Sequence, residues 1–147
     1  MRIVSLQERD LMPKGYIFDT VACSRWRRGD MELRSKVEAL SSDTFFYTSV
    51  ISVGELILGI HKAPLEHKEK LWQRTQEMLT CFKNILEVTR EVADRYGEIV
   101  SKVPPGQHIG QNDYWIAAIA LTRDLILITN DPDFDQVSGL QKENWLQ

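Results

Sequence analysis

Acidic residues stand at three places in the sequence where a predicted strand ends or a predicted helix begins. Asp19 follows a predicted strand at 16–18, and Asp131 follows an apolar strand predicted at 125–129 after a single asparagine. Asp113 lies in the first turn of the helix that should lead into that second strand. Oxygen ligands of this kind suit Mg²⁺ or Mn²⁺, whereas zinc prefers histidine and cysteine. The sequence therefore predicts a divalent-metal site built from carboxylates.

Glu55 is a fourth acidic candidate, because it stands inside the most apolar predicted helix of the chain, 50–60. Its neighbours on the same helical face are largely apolar. A carboxylate in such a place must reach solvent, find a charged partner or bind a cation. Asp133 follows Asp131 closely and could share or replace its role. Without a cation, clustered carboxylates would repel one another and raise one another's pKa.

Each of these acids also has a purely structural interpretation, which the sequence leaves open. An aspartate after a strand is a common turn former or helix cap. An acid in a first helical turn favours the helix dipole, and Glu55 could lie on a thin exposed stripe. No histidine motif competes for a metal, because His61, His67 and His108 are scattered and fit surface positions. What favours a metal site is the set of acids taken together.

The composition fits a globular domain that works in a reducing compartment. The chain has 147 residues and a mass of 17.0 kDa, with 43% hydrophobic and 27% charged residues, which excludes disorder or a coiled coil for the whole chain. Cys23 and Cys81 form no CxxC pair, which suits a reducing cytosol. The sequence has no apolar run that could span a membrane and no signal-peptide core at its start. We therefore expect a cytoplasmic protein with no membrane partner.

The net charge of −3 argues only weakly against a nucleic-acid substrate. If four acids line a metal pocket, the remaining charge is +1, and bound Mg²⁺ makes the working surface more positive. A basic helix face with Arg25, Arg27, Arg28 and Arg34 could guide an RNA backbone, since arginine suits phosphate. The alternative for these arginines is a solvated helix face.

The order of predicted elements is strand, helix, strand, several helices and strand, which is typical of a three-layer α/β/α sandwich around a parallel sheet. Active sites in such sheets lie at the carboxyl ends of the strands. Residues 1–14 are predicted to be an N-terminal extension, or to add an edge strand at 3–6, and residues 15–147 to form the folded domain. The predicted strands lie at 16–18, 45–48 and 125–129, with a short apolar segment at 85–86. The predicted helices lie at 22–40, 50–60, 65–82, 90–103 and 113–123. The first helix should break at Gly29-Asp30, the fourth should stop at Pro104-Pro105-Gly106, and the predicted helix caps are Ser49, Thr89 and Asn112.

Four segments of the sequence together resemble PIN-domain ribonucleases, in particular the VapC-type toxins of bacterial type II toxin–antitoxin pairs. They lie at 17–20, 48–56, 109–120 and 127–145, in the family's order and with suitable spacing. The first reads Ile17-Phe18-Asp19-Thr20, and the last begins Leu127-Ile128-Thr129-Asn130-Asp131-Pro132-Asp133-Phe134. The resemblance covers nearly everything from Tyr16 to Trp145.

The resemblance implies a PIN-like domain with the activity of a metal-dependent endoribonuclease that uses Mg²⁺ or Mn²⁺. It also implies an RNA substrate, a homodimer and a small cognate antitoxin that inserts a segment near the active site. One departure is that Val21 and Ala22 follow the Asp-Thr pair, where many relatives have Asn or Ser. The catalytic and metal-binding acids are carried over to Asp19, Glu55, Asp113 and Asp131, with Asp133 beside them, and the supporting polar residues to Thr20, Asn112 and Thr129.

On this basis we expect hydrolysis of an RNA phosphodiester by a water that one or two metal ions activate, oriented by Asp113 or Asp131. A second hypothesis is a catalytically weak PIN-like scaffold that acts by binding an antitoxin and operator DNA. The missing polar residue after Thr20 motivates it. An aspartyl phosphatase using Asp19 is disfavoured, because such enzymes need a second aspartate two residues later, where this chain has Val21.

Overall fold

The computed structural model describes residues 15–107 and 109–146. The predicted extension 1–14, with its alternative edge strand, and His108 lie outside the described residues. The strands are β1 (Gly15–Phe18), β2 (Phe45–Ser49), β3 (Asn84–Leu86), β4 (Ile126–Ile128) and β5 (Lys142–Glu143). The helices are α1 (Thr20–Arg27), α2 (Met31–Glu38), α3 (Val50–Lys62), α4 (Leu65–Leu79), α5 (Arg90–Lys102) and α6 (Gln111–Thr122), and a short 3-10 helix covers Pro132–Gln136.

The strands form one sheet in the order β3-β2-β1-β4-β5, and every neighbouring pair is parallel. β1 lies at the centre, where Phe18 is in register with Thr48 of β2 and Ile128 of β4. The carboxyl ends of these three strands therefore meet at one edge of the sheet, directly before Asp19. The predicted α/β class with a central parallel sheet is confirmed.

Helices cover both faces of the sheet, and the sheet separates the hydrophobic core into two clusters, one on each face. Because strand side chains alternate between faces, Ile17 and Leu127 pack with α5 and α6, while Phe18 and Ile128 pack with α1, α2 and α4. The second cluster is rich in aromatic residues. The Phe18 ring meets that of Phe82 edge to face, with ring centroids 5.4 Å apart. This packing fixes the strand that leads into Asp19 and gives the three layers.

Most predicted helix boundaries agree with the structure to within a few residues. The side chains of Ser49 and Thr89 cap α3 and α5, and the helix predicted at 22–40 breaks at Gly29, whose φ of +81° favours glycine. The predicted cap at Asn112 is wrong. The helix already begins at Gln111, with Gly110 as its cap residue, so Asn112 has entered the first turn and is exposed.

The 3-10 helix and β5 were not predicted from the sequence. β5 consists of Lys142 and Glu143, which are polar and exposed, and it exists only through its pairing with β4. Across residues 15–107 and 109–146, no helix combines the length and the apolar character needed to cross a membrane.

Candidate active site

Asp19 lies at the carboxyl end of β1 and has both carboxylate oxygens bound. Its Oδ1 accepts a hydrogen bond of 2.8 Å from the Ala22 backbone nitrogen, which caps α1. Its Oδ2 accepts a hydrogen bond of 2.6 Å from the Thr129 hydroxyl at the end of β4. The residue is only 4% exposed. Asp19 therefore caps a helix, which is the structural role that the sequence left open for it. It is also held in one fixed orientation at the edge of the sheet where the site was predicted.

The pKa of Asp19 is raised above its usual value, mainly because burial disfavours the charged form. The two hydrogen bonds act in the opposite direction, since both stabilise the carboxylate. Repulsion from the carboxylates of Asp131 and Glu55 raises the pKa further. Asp131 and Glu55 are both tied to the end of β1 by hydrogen bonds, to Thr129 and to Thr20.

Thr129 connects Asp19 to the acids that follow β4. Its Oγ1 donates to Asp19 and accepts a hydrogen bond of 3.0 Å from the backbone nitrogen of Asp131. Asp131 in turn caps the 3-10 helix, because its Oδ1 accepts from the Asp133 backbone nitrogen at 2.9 Å. One hydroxyl therefore sets the distance between the first acid of the site and the loop that carries the last two.

Glu55 reaches the same edge from α3. Its Oε1 accepts a hydrogen bond of 2.6 Å from Thr20, the residue that directly follows Asp19. The Thr20 hydroxyl also lies 3.1 Å from the hydroxyl of Ser52, which is fully buried one helical turn before Glu55. Ser52 was missed at the sequence level. The available signal was a serine three residues before a glutamate in an otherwise apolar helix.

Asp113 joins the group from the first turn of α6, and its pKa is raised to about 6. Burial is the largest cause, and repulsion by the other acids adds to it. A helix N-terminus normally favours a charged carboxylate, so burial and repulsion outweigh the helix dipole here. The acids that repel Asp113 are Asp131, Glu55, Asp19 and Asp133, which are the other four that the sequence indicated.

The donor chemistry of the site fits a hard divalent cation. All five side chains are carboxylates, and within the described part of the chain none of them pairs with a lysine or arginine. In that same part no three histidine, cysteine or acidic side chains converge closely enough to hold an ion directly. Mg²⁺ suits such an open arrangement, because it usually keeps several waters and takes only one or two protein carboxylates. A bound cation would also relieve the repulsion among the acids.

The predicted arginines occupy the other end of α1, away from the carboxylates. Arg25 donates a hydrogen bond of 2.8 Å to the backbone oxygen of Leu146, and Arg27 donates one of 3.1 Å to Thr75. Arg28 is exposed. Two of the four arginines predicted to guide RNA therefore also hold elements of the fold together, which was not evident from their spacing.

The sequence matches the PIN domain family over residues 16–140, so the chain belongs to that family. Within it, the chain is similar to curated ribonucleases named VapC. Ribonuclease VapC1 of Haemophilus influenzae is 30% identical over 115 residues, which is 77% of this chain and 84% of the relative. Ribonuclease VapC2 of the same species is 34% identical over 100 residues, or 67% and 74% of the two chains. The resemblance drawn from the four sequence segments is confirmed.

Solved structures show the same fold. The VapBC2 complex of Rickettsia felis bound to a promoter DNA fragment contains a chain with a TM-score of 0.81 and 25% identity, covering 89% of this chain and 98% of that one. FitAcB of Neisseria gonorrhoeae gives a TM-score of 0.77 and 27% identity, with 88% and 97% covered. These likenesses extend over almost the whole described domain.

Proposed function

We propose that this protein is a divalent-metal-dependent endoribonuclease and the toxin of a toxin–antitoxin pair. The observation that carries the proposal is the gathering of five acids around the ends of β1 and β4, where Thr129 bridges Asp19 to Asp131. The VapC relatives are ribonucleases by name, and family membership makes the same chemistry the first expectation here.

In the proposed mechanism, Asp19, Glu55, Asp113 and Asp131 would hold Mg²⁺ or Mn²⁺, one or two of them directly and the others through waters on the ion, and Asp133 would support or share the position of Asp131. When bound, the ion would supply Lewis-acid charge at the scissile phosphate and would make the attacking water easier to deprotonate near neutral pH. The water oxygen bonds to phosphorus while the bond to the leaving 3′-oxygen breaks, and the 3′-oxygen takes up a proton from solvent to leave as a hydroxyl group. A carboxylate of the group, Asp113 or Asp131, orients the water and takes its proton.

The hydroxyl groups of the site act by positioning the acids. Thr129 fixes the rotamer of Asp19, and Thr20 does the same for Glu55. Partners that hold ligands in this way usually matter for metal affinity, because a free carboxylate would lose entropy on binding the ion. Asn112, exposed in the first turn of α6, stays a predicted supporting residue on the rim of the site.

The experiment that tests the function is cleavage of a defined single-stranded RNA with Mg²⁺ or Mn²⁺ titrated into purified protein. We expect cleavage that excess chelator abolishes and that Asp19→Asn reduces to background. Asp94→Asn is the matched control, because Asp94 is an exposed carboxylate on α5 whose pairing with Arg90 is worth little. Full activity in chelator, or in Asp19→Asn, would exclude the proposal.

The proposed partners are an RNA substrate, a small cognate antitoxin and a second copy of the chain, acting in the cytoplasm. Solved relatives include toxin–antitoxin complexes, which supports the antitoxin. Arg25, Arg27 and Arg28 are proposed to guide RNA, with Arg28 the most accessible of them. Co-expression with the product of a small adjacent reading frame, followed by size-exclusion chromatography with light scattering, tests both the antitoxin and the homodimer.

A second candidate is a catalytically weak scaffold that binds an antitoxin and operator DNA. It is favoured by two features, the apolar Val21 and Ala22 after Thr20, and the absence of a direct three-ligand cluster among the described residues. This candidate predicts no Mn²⁺ binding and no growth arrest when the protein is expressed alone. Metal-dependent cleavage would rule it out as the main function.

A further inference from the structure

Helix α6 carries Asp113 in its first turn, yet it begins without a side-chain cap. The cap residue is Gly110, whereas α1, α2, α3 and α5 are each capped by a side chain of the preceding Asp, Ser or Thr. An uncapped first turn leaves backbone N–H groups unsatisfied and is prone to fraying. A contact from a neighbouring helix would therefore stabilise the turn on which Asp113 depends.

Tyr96 of α5 makes that contact. Its ring stacks on Trp115 with centroids 3.9 Å apart and planes at 9°, and it meets Tyr114 edge to face at 6.4 Å. Its hydroxyl donates a hydrogen bond of 2.8 Å to Oε1 of Gln111, the first residue of α6. One side chain thus contacts the residues two before and two after Asp113.

We propose that Tyr96 is a positioning residue for Asp113, an inference that rests on the proposed metal-dependent function. The Gln111 bond holds the beginning of the helix, and the Trp115 stack prevents rotation about its axis. Together they fix the direction in which the intervening Asp113 leaves the helix. Tyr96 lies on α5 and hydrogen-bonds to Gln111 rather than to an acid of the site, so its effect is exerted through α6.

The proposal predicts a graded loss of metal affinity. Tyr96→Phe keeps the ring stack and loses only an exposed hydrogen bond, so the apparent Kd for Mn²⁺ should rise by about threefold. Tyr96→Leu loses the stack as well, and the Kd should rise by about tenfold or more. Because the hydroxyl acts through Gln111, the effects of Tyr96→Phe and Gln111→Ala should not add. The double variant should have the same Kd for Mn²⁺ as whichever of the two single variants has the higher Kd.

The test measures Mn²⁺ binding to full-length protein by the loss of the free-ion paramagnetic resonance signal, together with kcat and KM for RNA cleavage at saturating metal. Val100→Ala is the control, since Val100 is a partly buried residue of the same helix and its truncation costs stability while leaving the Tyr96–Trp115 stack and the Tyr96–Gln111 hydrogen bond in place. We expect Val100→Ala to keep wild-type Mn²⁺ affinity, and the Tyr96 variants to lose affinity and kcat with little change in KM.

Wild-type affinity in Tyr96→Leu would overturn the proposal, as would an equal loss of affinity in Val100→Ala, because the effect would then be general destabilisation. If the effects of Tyr96→Phe and Gln111→Ala on the Kd were additive, the Tyr96 hydroxyl would not act through Gln111, and that part of the proposal would be wrong. A wild-type protein that neither binds Mn²⁺ nor cleaves RNA would instead refute the proposed function, and the inference about Tyr96 would fall with it.

Discussion

The Thr129 hydroxyl donates a hydrogen bond of 2.6 Å to Asp19 across the ends of two neighbouring strands, although 110 residues separate the two in the chain. The same oxygen accepts from the backbone of Asp131. The relationship depends on the register of β1 with β4, which aligns Phe18 with Ile128 and so places the following residues side by side. A local change in either strand would therefore disturb two acids at once.

Thr129→Val should impair both activity and stability. It removes the donor to a buried carboxylate and the acceptor for the Asp131 backbone, so we expect a loss of about 10- to 100-fold in metal affinity or cleavage rate. The free energy of unfolding should fall by about 1–3 kcal/mol, because a buried acceptor loses its partner. RNA cleavage and urea unfolding measure the two effects. Thr122→Val, which removes only a bond to a carbonyl within α6, is the control and should leave cleavage unchanged.

Metal-free protein should lose stability as the pH rises from about 4 to about 6, through Asp113. Its pKa of about 6 in the folded state exceeds the ordinary value of 3.8, so folding favours the protonated form. This contribution is fully present below pH 3.8 and is lost as the pH passes 6. Since the side chain is only partly buried, solvent screening reduces the effect to about 1 kcal/mol.

Asp113→Asn tests that prediction, because the amide cannot ionise. In chelator, urea unfolding at several pH values gives the free energy of unfolding of both proteins. Relative to the wild type, the variant's free energy of unfolding should increase between pH 4 and 6, and the increase should reach about 1 kcal/mol at neutral pH. Cleavage should nevertheless be abolished. Stability curves that run parallel across this range would contradict the assignment of the shift to Asp113.

Glu55→Gln should abolish cleavage, whereas Thr20→Val should reduce it without abolishing it. The amide removes a charge that the metal requires, while the valine leaves that charge and removes the 2.6 Å bond that orients the carboxylate, together with the contact to Ser52. We expect losses of at least about 100-fold and about 10-fold respectively. Ser52→Ala removes a hydroxyl that contacts Thr20 and should have the smallest effect of the three. The reverse order of rates would show that Glu55 is not a ligand.

Mg²⁺ or Mn²⁺ should raise the thermal midpoint of the protein. A ligand that binds only the folded state stabilises it by about 2.7 kcal/mol at a hundredfold excess over its Kd, which corresponds to several degrees in Tm for a domain of this size. Differential scanning fluorimetry in matched ionic strength measures the shift. Asp19→Asn should lose most of it and Asp94→Asn should keep it, so equal shifts in the two variants would indicate a non-specific salt effect.

Features that depend on neighbouring residues along the chain could be predicted from the sequence. The apolar strand before Thr129, the caps at Ser49 and Thr89 and the break at Gly29 each follow from periodicity or from the chemistry of one residue. The acids at the strand ends could be found in the same way. In a parallel sheet, the residues that follow neighbouring strands must meet at one edge.

The tertiary structure alone decided how those acids are held. Two hydroxyls, of Thr129 and Thr20, bind carboxylates on other elements, and Arg25 is anchored to the backbone of Leu146 at the far end of the chain. The start of α6 at Gln111 and its contact with Tyr96 depend likewise on how two helices pack. These contacts join residues distant in sequence, so no local pattern encodes them. The sequence determined which acids stand at the strand ends and helix starts, and the sheet register and helix packing determined their orientation.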